Sequence, residues 1–246
     1  MLLIFSAFSG CGGEENEEYS GPIDIVLIMS ANSGTLEITK GNGNETIEQQ
    51  TVEIEFDLSN TTSGSGDITG FTIDPGDGSD IIYSNGSENG VFSHEYLVHG
   101  VFEAIITAMD SEDNERSIIE EIRIDYIQEH NNQNTNNPDV VWIDYIGPST
   151  DIPMWINVSS TIANPEDLDL LVFTDDPVTV TWTLYDGQDN KINETTETLE
   201  GGDSMDVQSS INMPITIDWR VEITLNNDEN VNAITLFAVS YDHSEM

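Results

Sequence analysis

Apolar and polar residues alternate singly along several stretches of this 246-residue chain, most clearly at 52–58, 178–184 and 219–225. In the first of these, Val52 and Ile54 flank Glu53, and acidic residues continue to fill every second position. Because successive side chains of a strand point to opposite faces, a period of two predicts strands with one apolar face. No comparable stretch combines helical apolar spacing with capping residues. Short alternating runs broken by Gly, Asn, Asp and Pro therefore predict an all-β chain of antiparallel sandwiches.

The stretch 129–138 (EHNNQNTNNP) interrupts this pattern, because it contains no apolar residue that could anchor a fold. It separates a strand predicted to end near Ile127 from one predicted to begin near Val140. Polar segments that lack apolar residues commonly connect domains. We therefore expect two tandem Ig-like β-sandwiches, at 21–128 and 139–246, joined by a polar linker at 129–138.

The charge balance narrows the range of partners. The chain has 47 acidic residues against 5 Lys and Arg, a formal net charge of −42. Such a surface repels phosphate backbones and anionic lipid headgroups, so nucleic acid and direct membrane binding are excluded as functions. Two interpretations of the acidity stay open: solvation of an exported surface in a saline habitat, or a dedicated site for cations or a partner. The acidic, lysine-poor, Asn- and Ile-rich composition resembles that of marine or halophilic archaeal proteins.

The first twenty residues indicate export and anchoring. An apolar run from Met1 to Phe8 is followed by Ser9, Gly10 and the single cysteine, Cys11. Small residues directly before a cysteine resemble a lipobox, the site at which a signal peptide is removed and the cysteine is lipidated. This predicts a signal peptide at 1–10 and a lipid on Cys11, followed by an acidic tether over 11–20. The protein would then lie on the outer face of the membrane. The alternative is an ordinary signal peptide with a chance cysteine. No Lys or Arg precedes the run, which a misassigned start codon would explain.

A predicted turn at 71–79 (FTIDPGDGS) is rich in Asp and Gly, residues that cap backbone amides and supply positive φ angles. Asp74, Gly76, Asp77 and Gly78 follow one another in an order that resembles the signature of a PKD (polycystic-kidney-disease) domain. The resemblance covers about 23–127, and it implies an Ig-like sandwich for this half. It implies no particular partner.

Three later segments follow in the order expected of the same family: His94–Tyr96, Gly100–Phe102 and Asp110. Ile73 stands where the family has Trp and Pro75 where it has Phe, so the apolar plug of the turn is smaller here. We expect His94 to hydrogen-bond within the hairpin. The second half resembles no family that we recognise.

Catalytic signatures are missing from the sequence. There is no nucleophile elbow, phosphate-binding loop or paired catalytic motif, and acidic pairs are too common for any one to stand out. The four histidines lie far apart, without metal-ligand spacing. We therefore expect a protein that is not an enzyme. The histidines are His94, His99, His130 and His243.

Calcium is the cofactor that the acidic turns favour, since hard cations take several oxygen ligands. Neither acidic turn matches an EF-hand loop, and clusters of this kind also arise by chance at such a density of carboxylates. The candidate calcium ligands are Asp74, Asp77, Asp80, Asp110 and Asp113. Asn-x-Ser/Thr sequences predict candidate glycosylation sites at Asn44, Asn60, Asn85, Asn157 and Asn193.

All four tryptophans lie in the second half. Trp182 and Trp219 fall on the apolar phase of their strands and are expected in the core, whereas the places of Trp142 and Trp155 stay open. We predict a non-catalytic cell-surface lipoprotein that binds proteins or glycans and touches the membrane only through its lipid. The alternatives are an accessory or substrate-binding lipoprotein for an exported hydrolase or transporter, and a structural spacer of the envelope.

Overall fold

The computed structural model describes residues 21–85, 90–149, 151–165 and 176–242. These residues form strands, turns and one short 3-10 helix, Asn42–Asn44, with no α-helix among them, so the predicted all-β fold is confirmed. Within the same ranges, no helix has the length and apolar character needed to cross a membrane. The strands are β1 Ile23–Asp24, β2 Ile28–Met29, β3 Ser33–Lys40, β4 Thr46–Gln50, β5 Val52–Asp57, β6 Thr62–Ser63, β7 Ile68–Asp74, β8 Ile82–Asn85, β9 Val91–Tyr96, β10 Gly100–Asp110, β11 Glu115–Thr135, β12 Val141–Trp142, β13 Trp155–Ala163, β14 Val178–Tyr185, β15 Lys191–Leu199, β16 Ser204–Asn212, β17 Arg220–Leu225 and β18 Val231–Ser240.

The single alternation of the sequence sets which face of each strand is buried. In β5, Ile54 and Phe56 are fully buried while Glu53 and Glu55 are exposed. Each large apolar side chain removed from water in this way contributes roughly 1.5–3 kcal/mol. The carboxylates of Glu53 and Glu55 therefore stay in solvent, and the core consists mainly of Ile, Val, Leu, Ala and aromatic side chains.

Each half of the chain buries its apolar faces between two sheets. In the first half, β9 of one sheet faces β7 and β10 of the other: Tyr96 stacks on Phe102 with ring centroids 5.6 Å apart, and Phe71 meets Phe92 edge-on at 6.0 Å. In the second half, the sheet of β12, β17, β14 and β15 faces β13, where Trp182 Nε1 donates to Ser160 Oγ at 2.8 Å. The pairings between the described strands are antiparallel, except that β3 pairs with β11 in parallel and with β4 antiparallel.

Strand β11 runs from Glu115 to Thr135 and contradicts the prediction of a linker at 129–138. Its residues 115–124 pair with β10 of the first half, and residues from Tyr126 to Thr135 pair with β18 of the second half. The strand therefore does not end near Ile127, and only residues 136–138 of the predicted linker lie outside it. One continuous strand connects the two halves.

Buried polar partners explain why polar residues occupy this part of β11. The inward positions Gln128, His130 and Asn132 are almost inaccessible to solvent. Gln128 Oε1 accepts from the Tyr126 hydroxyl at 2.7 Å, His130 Nε2 donates to the Gly41 carbonyl at 3.0 Å, and Asn132 Oδ1 accepts from a backbone amide. Polar side chains with such partners are tolerated in an interior. The alternation therefore continues, with polar residues in place of apolar ones.

A buried joint centred on His99 ties the first half to the second. His99 is fully buried, stacks on Tyr126 with ring centroids 4.4 Å apart, and contacts the Tyr241 hydroxyl through Nδ1 at 2.9 Å. Its Nε2 lies 3.0 Å from the carbonyl of Asp144, whose carboxylate also pairs with the buried Lys40. The halves are thus joined by side-chain contacts as well as by β11.

Candidate ligand-binding surface

Trp142, Arg220 and Tyr185 form a row across the outer face of the four-stranded sheet. Trp142 on β12 is opposite Arg220 on β17, and Arg220 is opposite Tyr185 on β14. Their chain neighbours Val141, Val221 and Leu184 point inward and are fully buried, which leaves the row on the solvent side. We call these three residues the aromatic–arginine row.

The guanidinium of Arg220 lies between two aromatic rings. Its Cζ atom is 4.2 Å from the ring centroid of Tyr185 and 5.0 Å from that of Trp142. A guanidinium within about 6 Å of a ring face is attracted by the ring quadrupole, which holds the three side chains in place. Trp142 remains 44% exposed, an unusually large fraction for a side chain that is costly to leave in water. The row is therefore both ordered and accessible.

Carboxylates neutralise the two cations on this face. Arg220 Nε donates to Glu222 at 2.8 Å and Nη1 donates to Asp189; the hydrogen bond to Glu222, supported by Asp189, raises the pKa of Arg220. Lys191, the residue of β15 opposite Tyr185, pairs with Glu194, and this hydrogen bond raises the pKa of Lys191. Both cations are charged and already paired.

Threonine hydroxyls cover the rest of the same face. Thr181 and Thr196 lie 3.0 Å apart across β14 and β15, and Thr179 and Thr198 lie 2.9 Å apart one step further along. A hydroxyl has one donor and two acceptor positions, so each pair retains capacity for a further partner. The face thus combines one exposed indole with hydroxyl and carboxylate groups.

The other tryptophans have a different role. Trp182 and Trp219 are buried, as predicted from their phase, and the indole of Trp219 donates to the Thr216 carbonyl at 2.7 Å. Trp155 is half-buried at the start of β13, on the other sheet of the second half. The sequence did not predict whether Trp142 is buried or exposed, because its exposure depends on β12 being an edge strand.

The PKD-like turn lies between β7 and β8 and is held to the opposite sheet. Asp77 Oδ2 contacts His94 Nε2 on β9 at 2.8 Å, so His94 makes the expected hydrogen bond, with the Asp-Gly turn as its partner. Burial opposes ionisation of Asp77, but hydrogen bonds from His94 and Ser79 outweigh it and lower its pKa to about 2. Asp74 accepts from the amide of Gly76 at 3.0 Å. These contacts stabilise the turn.

Asp110 and Asp186 occupy equivalent positions in two hairpins, one in each half, and the sequence D-x-x-D-N marks both. In the β10–β11 hairpin, Asp110 Oδ1 accepts from the amides of residues 112 and 114, both at 3.0 Å. In the β14–β15 hairpin, Asp186 Oδ1 accepts from the amides of 188 and 190, both at 2.9 Å. The hydroxyls of Ser63 and Ser65 also donate to Asp110, at 2.6 and 2.5 Å. Both aspartates therefore cap backbone amides.

Among the described residues, no three Asp, Glu, His or Cys side chains are placed to hold one metal ion. Of the five candidate calcium ligands, Asp74, Asp77 and Asp110 make the contacts above, while Asp80 and Asp113 are exposed. Calcium binding stays a prediction. Asn44, Asn60 and Asn85 are exposed, and Asn157 and Asn193 are half-buried in strands. Cys11 and His243 lie outside the described residues.

No protein-family model matches the chain, and a search of curated proteins gives no match either. Among solved structures, the chain is similar to a carbohydrate-binding module of the β-sandwich superfamily (11% identity, TM-score 0.35, covering 92% of this chain and 100% of that chain). It is also similar to CBM51-2 with INT domains from Clostridium perfringens ZmpB (8%, 0.28, 89% and 49%) and to an infectious bursal disease virus protein (10%, 0.27, 92% and 70%). Similarities this low carry no argument about function, and the PKD resemblance stays a prediction.

Proposed function

We propose that this protein is a non-catalytic binding module of the cell surface whose ligand is a glycan, contacted by the aromatic–arginine row. The observation that carries the proposal is the exposed indole of Trp142, held by Arg220 on the edge strand of the four-stranded sheet. The C–H face of a sugar ring packs well on the electron-rich face of an aromatic ring. Trp, Tyr and Arg are also the residues that most often dominate binding energy.

The surroundings of the row favour a glycan over a protein ligand. The core of a protein–protein interface is more apolar than its rim and is depleted of charged residues. On this face, the position next to the row along β14 is the buried Thr183 and along β17 it is Glu222, and the next are Thr181 and Thr224. Hydroxyls and carboxylates are suited to the many hydroxyl groups of a sugar.

Retention on immobilised polysaccharides, compared between the native protein and Trp142→Ala, tests this function. We expect the native protein to be retained by at least one polysaccharide and the variant to bind at least about tenfold more weakly, which corresponds to 1.4 kcal/mol. Tyr83→Ala is the matched control, because Tyr83 is an exposed aromatic residue of the first half, 73% accessible. Equal retention of all three proteins would contradict the proposal.

The proposal includes the localisation of the protein: it is exported and attached to the outer face of the membrane through a lipid on Cys11. The small residues before Cys11 support it. Metabolic labelling with a palmitate analogue tests it directly. The native chain is expected to incorporate the label and partition with membranes, while Cys11→Ser does neither; an unlabelled native chain would refute the anchor.

One observation favours a structural spacer as a second candidate function. Because β11 pairs with both halves and His99 is buried at the joint, the halves have a fixed relation that suits a rigid element of an envelope. A spacer would retain no specific partner in the polysaccharide assay. Retention that depends on Trp142 therefore separates the two functions.

A further inference from the structure

The charges around the aromatic–arginine row leave no free cation for an acidic ligand. Arg220 and Lys191 are two of the five Lys and Arg residues of the chain, and each is paired with carboxylates on the same face. A carboxylate or sulfate on a ligand would have to displace Glu222, Asp189 or Glu194. It would also have to approach a chain of net charge −42.

A cationic ligand is disfavoured at the row itself for a different reason. One face of Trp142 and one face of Tyr185 are turned toward Arg220, whose guanidinium lies 5.0 and 4.2 Å from their centroids. A second cation there would meet like charge in the first contact shell. An acidic ligand thus finds no free cation at the row, and a cation beside Arg220 would meet the guanidinium.

The register of the strands also sets the direction of the site. Trp142, Arg220 and Tyr185 lie on three adjacent strands, and neighbouring strands are about 4.8 Å apart. The row therefore extends across the strands for about 10 Å between the two aromatic positions, with Lys191 opposite Tyr185 on the last strand. A site of this length and direction fits a short extended chain of sugar rings rather than one terminal sugar.

We infer that the ligand is a neutral, polyhydroxylated glycan chain that lies across β12, β17 and β14, with one sugar ring on Trp142. This inference rests on the proposed function and adds the chemical class of the ligand and its direction. Hydroxyls of the ligand donate to the carboxylates of Glu222 and Asp189, which stay paired with Arg220. No net charge is neutralised on binding.

Titration calorimetry with matched soluble glycans tests the inference. The probes are a neutral β-glucan, xylan, mannan and galactan, each alongside its chemically sulfated form on the same backbone, with polylysine as the cationic probe. We expect at least one neutral glycan to bind, its sulfated form to bind at least about tenfold more weakly, and the affinity for the neutral form to change less than about twofold between about 0.1 M and 1 M salt.

Three variants test whether a glycan that binds does so at Trp142. Trp142→Ala is expected to lose at least about tenfold in affinity, Trp142→Tyr to lose less because it keeps an aromatic ring, and Tyr83→Ala to match the native protein. Thermal melts confirm that each variant folds. If Trp142→Ala does not fold, Trp142→Gln replaces it, and native affinity of that variant for all probes would overturn the assigned site.

The remaining outcomes distinguish the inference from the function on which it rests. A sulfated glycan that binds as tightly as its neutral form, through Trp142, overturns the neutral class and leaves glycan binding intact. Binding of polylysine alone, binding of no probe, or glycan binding indifferent to Trp142 overturns both.

Discussion

At the scale of single residues, three of the five candidate calcium ligands, Asp74, Asp77 and Asp110, cap backbone amides of tight turns. Asp110 is buried and accepts hydrogen bonds from Ser63, Ser65 and two backbone amides. Burial opposes its ionisation, but these hydrogen bonds outweigh burial and hold the pKa of Asp110 far below its usual range. Charge-assisted hydrogen bonds of this kind are stronger than neutral ones.

Replacing Asp110 should therefore destabilise the fold. Asp110→Ala leaves the hydroxyls and amides without their acceptor, so we expect a lower melting temperature than for Glu112→Ala, which removes an exposed carboxylate from the same hairpin. Differential scanning calorimetry of the two variants and the native protein measures the difference. Equal melting temperatures for the variants would show that Asp110 does not hold the hairpin.

The residues of the binding surface could not be identified from the sequence. Trp142, Tyr185 and Arg220 are far apart along the chain, and only the register of β12, β17 and β14 brings them together. The phase of a strand could place Trp182 in the core, because Val180 and Leu184 share its periodicity. The exposure of Trp142 depended on which strand forms the edge of the sheet, which alternation alone does not encode.

At the scale of elements, alternation predicted the strands well and composition predicted the linker badly. Residues 52–58, 178–184 and 219–225 lie in or next to β5, β14 and β17. Residues 129–135 belong to the predicted linker 129–138 because none of them is an apolar residue that could anchor a fold. Here His130 and Asn132 are buried and hydrogen-bonded, so the period of two continues through Asn132 although the apolar residues that normally reveal it are absent.

Proline substitutions distinguish a strand from a linker at this place. Asn131 pairs with Ile234 of β18, so Asn131→Pro removes a backbone donor from the middle of β11 and should destabilise the protein by about 2 kcal/mol or more. Asn136→Pro lies beyond the strand and should cost much less. Urea denaturation measures both values. A tolerated Asn131→Pro would support the linker that the sequence suggested.

At the scale of the whole molecule, the joint around His99 makes the stability of the protein depend on pH. The Asp144 carbonyl can only accept, so His99 Nε2 carries the proton and Nδ1 accepts from Tyr241, an arrangement that requires a neutral imidazole. Burial lowers the pKa of His99 to about 4, and burial lowers the pKa of His130 as well. Both histidines resist protonation in the folded state.

Because the pKa of His99 is lower in the folded chain than in the unfolded chain, acid destabilises the folded protein. The unfolded chain takes up a proton near pH 6.5 and the folded chain only near pH 4, so stability from His99 is present above pH 6.5 and is lost as the pH falls toward 4. The loss amounts to roughly 3 kcal/mol. We expect His99→Gln to be free of this dependence, so its free energy of unfolding should approach or exceed the native value on acidification. If the free energies of unfolding of the native protein and of His99→Gln differ by the same amount at pH 7 and at pH 4, His99 is not buried in its neutral form.

The net charge of −42 predicts that salt stabilises the fold. Repulsion among exposed carboxylates opposes the compact state, and screening shortens from about 10 Å at 0.1 M to about 3 Å at 1 M salt. The melting temperature should rise steadily over that range in both NaCl and KCl. A flat profile would show that the carboxylates are too far apart, or too well compensated, to repel one another.

The indole N–H signals of the four tryptophans, followed by NMR while a neutral oligosaccharide is added, test the account most directly. Single Trp→Phe variants assign each signal to its residue. We predict that the Trp142 signal shifts in proportion to ligand bound, while those of the buried Trp182 and Trp219 and of Trp155 on the other sheet stay in place. A saturating ligand that leaves the Trp142 signal unmoved, or that moves the Trp155 signal instead, would contradict binding at the aromatic–arginine row.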